Sequence, residues 1–197
     1  YLFKNLLDKN SIIITDEENK EFKVLNNIAN RRKIKKTTIG FNKGDIKILK
    51  NKYIDGKQII EVSVNSKIFV LEISLIGYFQ VKNLLMAILA ASNCGINQYK
   101  ILNQINKIKP VSGRLELVAN FKNGSKIIVD FAHTPDALEQ SLIALKKQFK
   151  KKIVLVFGCG GERDKKKRFI MGKIASKYCR KIFVTDDNPR NENPKKI

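Results

Sequence analysis

Apolar and polar residues alternate in short blocks along the first part of the chain. The three isoleucines at 12–14 predict a short buried strand, and an acidic start followed by spaced apolar residues predicts a helix over 17–30. Between Lys36 and Gly77 the apolar runs are separated by Asn, Asp and Gly, which favours a β-meander at the edge of a larger sheet. The strands of this region are predicted at 37–39, 46–48, 59–64 and 68–73.

Two helices are predicted before the chain reaches Pro110. Apolar residues recur at helical spacing over 80–92, and Gly95 lies where a helix C-cap is expected, so this helix should be buried. A second, amphipathic helix is predicted over 98–108 and should end before the proline, which cannot continue it. We place a domain boundary here. The two predicted domains are residues 1–109 and 110–197.

The second half of the chain predicts an α/β fold. Asn123 and Gly124 tolerate positive φ and lie between two apolar runs, which indicates a hairpin of 115–121 with 126–131. Strand and helix signals then alternate, which favours a parallel sheet with right-handed crossovers and a ligand site at the carboxyl ends of its strands. The strands are predicted at 126–131, 153–157 and 181–185, and the helices at 135–149 and 168–178.

Composition narrows the function classes. The 39 Lys and Arg outnumber the 18 Asp and Glu, giving a net charge of +21, so a basic nucleic-acid-binding protein is one alternative. Most of this charge is Lys spread along the chain, which is typical of solvated surfaces, and we expect no specific nucleic-acid partner. Three cysteines without C-x-x-C spacing predict neither disulfides nor zinc, and favour a reducing cytoplasm. No apolar run is long enough for a membrane span, so no membrane partner is expected.

Polar residues follow each of the three predicted parallel strands, and we expect them to converge on one rim. Asp130 and His133 come first, beside a helix start at Thr134 whose backbone N–H groups face the same way. The glycine-rich turn 158–161 lets the backbone approach a ligand, and the cations at 163–168 favour an anionic one.

The third cluster, 186–190, has the chemistry for binding an amino acid. The carboxylates of Asp186 and Asp187 can pair with an ammonium group, and Arg190 can hold a carboxylate through two parallel hydrogen bonds.

Five motifs in these regions resemble those of the Mur ligases, in the same order and at similar spacing. They are Gly77-Tyr-Phe-Gln-Val-Lys-Asn83, Ser112-Gly-Arg-Leu-Glu116, Asp130-Phe-Ala-His-Thr-Pro-Asp-Ala-Leu138, Phe157-Gly-Cys-Gly-Gly-Glu-Arg-Asp164 with Lys167-Arg168, and Asp187-Asn-Pro-Arg190. The resemblance implies an α/β fold with the later part of a central ATP-binding domain in 1–109. It implies the first part of a Rossmann-like C-terminal domain in 110–197, so that both domains are incomplete.

The motifs are most similar to those of the members that add meso-diaminopimelate to UDP-N-acetylmuramoyl-L-alanyl-D-glutamate in peptidoglycan synthesis. This implies ATP and Mg²⁺ as cofactors, those two compounds as substrates, and an acyl-phosphate intermediate. By position, the resemblance implies ATP contacts at Asn83, Arg114, Asp130 and His133. It implies meso-diaminopimelate contacts at Arg163, Asp187, Asn188 and Arg190.

The sequence contains no G-x-x-x-x-G-K-[ST] loop, so we expect a fragment that is inactive by itself, without catalytic or metal-binding residues of its own. A lysine-adding Mur ligase is the nearest alternative function, and Arg190 argues against it because lysine has no distal carboxylate. Other Mur-like amide ligases are more distant alternatives.

Overall fold

The computed structural model describes residues 1–197, which divide into two units between Lys109 and Pro110. No helix combines the length and the apolar character needed to cross a membrane. The first unit contains β1 (Ile12–Asp16), α1 (Phe22–Arg32), β2 (Lys35–Phe41), β3 (Ile46–Ile54), β4 (Lys57–Val64), β5 (Lys67–Ile73), α2 (Tyr78–Asn93) and α3 (Gln98–Leu102).

The five strands of the first unit form one mixed sheet in the order β1-β2-β3-β4-β5. The pairs β1–β2 and β2–β3 are parallel, whereas β3–β4 and β4–β5 are antiparallel. Strand β4 alternates buried and partly exposed positions, and its buried face includes Ile60 and Val62. Helix α2 covers the sheet core with a face that includes Val81, Leu85 and Ile88, all at most 2% exposed. The prediction of a buried helix ending near Gly95 is confirmed.

The predicted meander over 36–77 is only partly correct, because β2 pairs with β3 in parallel. The short connection between them folds back on itself through left-handed residues, Asn42 at φ 58° and Gly44 at φ 89°. The Thr38 amide donates to the Asp45 carboxylate over 2.7 Å, and the Asp45 amide donates to the Thr38 carbonyl over 2.9 Å. These bonds guide the chain into β3 so that it runs parallel to β2. A hairpin turn would have reversed the direction of the chain.

Two helices of the first unit are shorter than predicted. Helix α1 begins at Phe22 rather than 17, because the side chains of Asp16 and Asn19 accept the amides of residues 18 and 21 and hold turns there. Helix α3 ends at Leu102 rather than 108, and a separate 3-10 turn, Ile105–Lys107, buries Ile105 in the sheet core.

The second unit contains β6 (Glu116–Asn120), β7 (Lys126–Val129), α4 (Pro135–Phe149), β8 (Val154–Phe157), α5 (Lys166–Tyr178) and β9 (Lys181–Val184). The predicted hairpin is present as the antiparallel pair β6–β7, with Gly124 alone supplying the positive φ. The predicted three-stranded parallel sheet is wrong: β8 and β9 are parallel, but no ladder joins β7 to β8. Alternating strand and helix signals show which segments are extended, not which of them pair.

Helices α4 and α5 pack together against one face of the β8–β9 pair. Their buried core is formed by Leu138, Leu142 and Met171, with Leu155 and Phe157 of β8 packed against it. This packing anchors both helix N-termini close to the segments that follow β8 and β9. Those segments carry the polar residues singled out above.

Candidate functional site

The connection from β7 to α4 is held by its own polar residues. Thr134 caps α4, since its hydroxyl accepts the Ala137 amide over 3.3 Å, and Pro135 occupies the first helical turn. Asp130 accepts the Leu115 amide over 3.1 Å and the Ser141 hydroxyl over 2.6 Å. One carboxylate therefore ties the start of β6 to α4, and its remaining lone pairs are available to a ligand.

An aromatic platform, Arg114–Phe131–His133, lies beside Asp130. The Arg114 guanidinium carbon lies 4.7 Å from the centroid of the Phe131 ring, and the His133 ring meets that ring edge-on at 5.4 Å. The Phe131 side chain is 62% exposed. An exposed ring flanked by a guanidinium and an imidazole is suited to stacking on a flat base, and Phe131 lies among the three residues of this unit predicted to contact ATP. Sequence reasoning missed it; its signal was an aromatic residue between Asp130 and His133.

The glycines of the turn 158–161 are required by close packing against the protein itself. A Cβ on Gly161 would lie 1.9 Å from the Pro189 carbonyl oxygen, and one on Gly158 would lie 2.4 Å from the Thr185 carbonyl oxygen. The Gly161 amide donates to the Asn188 carbonyl over 2.8 Å. The interpretation that these glycines admit a ligand is therefore corrected: they admit the segment that follows β9.

Arg190 is held against the same turn. Its Nη1 donates to the Gly161 carbonyl over 2.6 Å, and its amide donates to the Asn188 side chain over 3.2 Å. Asp187 lies alongside, its Oδ2 3.8 Å from the position a Gly160 Cβ would take, and it makes no hydrogen bond. A cavity of about 180 Å³ opens here, lined by Phe157, Asp186, Asp187 and Pro189 among others. The structure thus brings together Asp187, Asn188 and Arg190.

Glu192 is the residue that sequence reasoning missed on this side. Its carboxylate receives both Nη atoms of Arg168, over 2.8 and 2.7 Å, and also the Glu162 amide and the Lys165 ammonium. These donors, the Arg168 guanidinium first, hold the pKa of Glu192 far below its usual range. Its signal was that it is the single acid among the last ten residues, close to a basic run that needs a counter-ion.

Several cations of the basic run 163–168 have partners within the protein. Arg168 and Lys165 pair with Glu192, and the Lys167 ammonium donates to the His133 carbonyl over 2.9 Å. These contacts within the protein weaken the expectation that the cations favour an anionic ligand. Arg163 and Lys166 remain exposed, and their side chains make no hydrogen bond or ion pair.

Asn83, the remaining predicted ATP contact, belongs to the first unit. It is exposed on α2 and makes no hydrogen bond. The preceding residue, Lys82, bonds to Asp16 over 2.7 Å and to Glu18 over 2.5 Å. Burial, and then the charge of Glu18, raise the pKa of the adjacent Tyr78 to about 12. No group of three or more His, Cys, Asp or Glu side chains has the arrangement of a metal site, so no residue here is assigned to magnesium.

Comparison with known proteins agrees with the motifs. The model of the Mur ligase middle domain matches residues 1–91, and that of the Mur ligase glutamate ligase domain matches residues 113–197. A UDP-N-acetylmuramoyl-L-alanyl-D-glutamate–2,6-diaminopimelate ligase from Rickettsia typhi is 40% identical over 198 residues, which cover 100% of this chain and 39% of the relative. The ligase of the same name from Agrobacterium fabrum is 42% identical over 79% of the chain and 32% of the relative.

A solved structure of a ligase with that name superposes with a TM-score of 0.63 at 29% identity, covering 95% of this chain and 39% of the other. The chain thus spans about two fifths of the length of the curated relatives it matches. Two domain models that together account for most of the chain, and relatives similar along its whole length, show that this chain belongs to the Mur ligase family.

Proposed function

We propose that the full-length protein is an ATP-dependent ligase that adds meso-diaminopimelate to UDP-N-acetylmuramoyl-L-alanyl-D-glutamate in peptidoglycan synthesis. The observation that carries this proposal is the arrangement of Asp187, Asn188 and Arg190 against the glycine-rich turn. The Asp187 carboxylate and the Arg190 guanidinium both lie beside Gly160, and together they offer partners for the ammonium and carboxylate of an amino acid. Similarity to ligases of that name supports the choice of substrate.

In the proposed reaction, a carboxylate oxygen of the substrate glutamate attacks the γ-phosphorus of ATP, and ADP leaves. The diaminopimelate amine then attacks the acyl phosphate, loses a proton, and inorganic phosphate leaves from the tetrahedral intermediate. The residues of this chain bind and orient. Asp187 would hold the amino-acid ammonium group, while Arg190, with Arg163, would hold the distal carboxylate.

For the nucleotide we propose contacts from the aromatic platform and Asp130. The Phe131 face would stack on the adenine, and the free lone pairs of Asp130 would accept ribose hydroxyls. Asn83 keeps the same proposed role from its motif. The chemistry of Mg²⁺, which would offset phosphate charge, is not assigned to residues of this chain.

The free thiols of Cys94, Cys159 and Cys179 support a reducing compartment, and we propose the cytoplasm as the site of the reaction.

A turnover assay tests the proposed function directly. The full-length protein is incubated with ATP and UDP-N-acetylmuramoyl-L-alanyl-D-glutamate, and ADP release is followed after adding meso-diaminopimelate or L-lysine. We expect release that depends on diaminopimelate and a kcat/KM for lysine at least about 30-fold lower, because lysine leaves a guanidinium without its carboxylate. Equal rates with the two amino acids would contradict the proposed selectivity, and faster release with lysine would favour the lysine-adding alternative.

A nucleic-acid-binding function is tested by salt. A depression of about 520 Å³ with a basic lining lies among Lys146, Lys150, Lys152 and Lys177. It is at the C-terminal ends of α4 and α5, where cations complement the helix dipoles. We therefore expect the 197-residue chain to bind duplex DNA only through counter-ion release. Its affinity should fall about 10³- to 10⁵-fold between 50 and 200 mM salt, as for six to ten phosphate contacts. Tight binding that persists at physiological salt would contradict this expectation.

A further inference from the structure

The Arg168–Glu192 pair forms a bidentate ion pair that is largely enclosed. The two side chains are 11% and 14% exposed, and both Nη atoms of Arg168 bond to the carboxylate over 2.8 and 2.7 Å. By contrast, the Lys177–Glu139 pair of the same unit is 65% and 31% exposed. A pair screened from water keeps its geometry far better than a surface pair.

The contacts of this pair reach both segments that carry the proposed amino-acid site. Glu192 also accepts the Glu162 amide over 3.0 Å, next to Arg163, and its own backbone lies two residues after Arg190. Arg168 lies in the first turn of α5, and its Nη2 points to the Gly160 carbonyl over 3.4 Å. The pair therefore joins the turn that carries Arg163 to the segment that carries Arg190.

The arrangement is not the one that stability alone would favour. The Nε of Arg168 is buried and makes no hydrogen bond, which is unfavourable for a charged group. Leu, Met or another apolar residue of similar size at both positions would avoid this penalty.

We propose that Glu192 and Arg168 are positioning residues that fix the register between the glycine-rich turn and the segment after β9, and so the placement of Arg163 and Arg190 for the distal carboxylate of the amino-acid substrate. This role rests on the proposed function. Arg168 lines the cavity itself, whereas Glu192 does not. The effect of Glu192 passes through the backbone of Glu162 and through the segment that leads to Arg190.

The test alters one member of the pair at a time. In the full-length protein, Glu192→Gln keeps the size of the side chain but removes its charge, and Arg168→Lys keeps the charge but removes the bidentate geometry. We expect either variant to raise the KM for diaminopimelate about 10- to 100-fold, because the arginine proposed to hold the distal carboxylate would no longer be in place to form its charge-assisted hydrogen bonds. The kcat at saturating diaminopimelate and the KM for ATP should change less than about threefold. Hydrogen exchange should be faster at the Glu162 amide, which donates to Glu192, and at the Gly161 amide, which donates to the Asn188 carbonyl.

A matched control is Glu139→Gln, which removes the charge from the exposed pair with Lys177 but keeps an oxygen that can accept the Tyr178 hydroxyl. It should leave the KM for diaminopimelate unchanged. The double variant Arg168→Glu with Glu192→Arg restores an opposite-charge pair. Its KM for diaminopimelate should be lower than that of the single variants. If the pair had only a structural role, its loss would lower the melting temperature and would change the KM for ATP and the KM for diaminopimelate together.

The outcomes separate the two proposals. Absence of diaminopimelate-dependent ADP release from the unaltered full-length protein would overturn the proposed function. Normal release, together with a wild-type KM for diaminopimelate in Glu192→Gln, would overturn the positioning role alone. Equal changes in the KM for ATP and for diaminopimelate, with loss of thermal stability, would also overturn it.

Discussion

Replacing Arg190 with alanine in the full-length protein is expected to reduce kcat/KM for diaminopimelate roughly 30- to 5000-fold. This corresponds to a loss of about 2 to 5 kcal/mol of binding free energy in the transition state. The variant removes the guanidinium proposed to hold the distal carboxylate and leaves that carboxylate without a partner in the site. It also removes the 2.6 Å bond to the Gly161 carbonyl. Steady-state kinetics with diaminopimelate as the varied substrate measure the effect.

Arg180→Ala is the matched control for this prediction. It removes the same charge from the same unit at an exposed position among the lysines at the other ends of α4 and α5. We expect kcat/KM within about twofold of the unaltered protein, as for most surface substitutions. If Arg190→Ala behaved like this control, Arg190 would have no part in choosing diaminopimelate over lysine.

Gly161→Ala is expected to destabilise the second unit and to abolish diaminopimelate-dependent turnover. The added methyl group would lie 1.9 Å from the Pro189 carbonyl oxygen and 2.7 Å from its carbon, so the two segments must separate. The cost should be about 1 to 3 kcal/mol or more, because the obstruction is backbone and cannot rotate away. Urea unfolding of the 197-residue chain gives the stability, and the ADP-release assay gives the turnover.

Gly172→Ala provides the opposite expectation within the same unit. Gly172 is in α5, and a Cβ there meets no atom within 4 Å. Alanine at this position should stabilise the helix by about 0.5 to 1 kcal/mol, since glycine is the poorer helix former. Similar losses of stability in both variants would show that the contact between Gly161 and Pro189 is not what the turn requires.

Local patterns predicted the elements whose signals lie within the elements themselves. The bounds predicted for α4, Pro135 to Phe149, are the bounds observed, because the Thr134 cap and the proline mark its start in the sequence. The hairpin around Gly124 and the buried face of α2 were also predicted, because the turn residues and the apolar spacing that indicate them lie within those elements. The errors arose where side chains compete with the backbone, as Asp16 and Asn19 do before α1.

For the candidate site, the sequence indicated which residue types follow each strand but not what they bind. Phe131 and Glu192 were missed, because their partners Arg114 and Arg168 lie 17 and 24 positions away. The cations of 163–168 were assigned to a ligand, whereas three of them have partners in the protein. No pattern along the chain states which charges are paired in space.

The amino-acid sequence by itself therefore determined the α/β class, the capped and periodic elements, and the motifs that identify the family, since all of these depend on residues close together in the chain. Only the tertiary structure decided the strand pairing, including the parallel β2–β3 and the separation of β7 from β8. It also decided that the glycines of 158–161 receive the backbone of Thr185 and Pro189. Such contacts join segments far apart in sequence, and close packing, rather than local propensity, determines them.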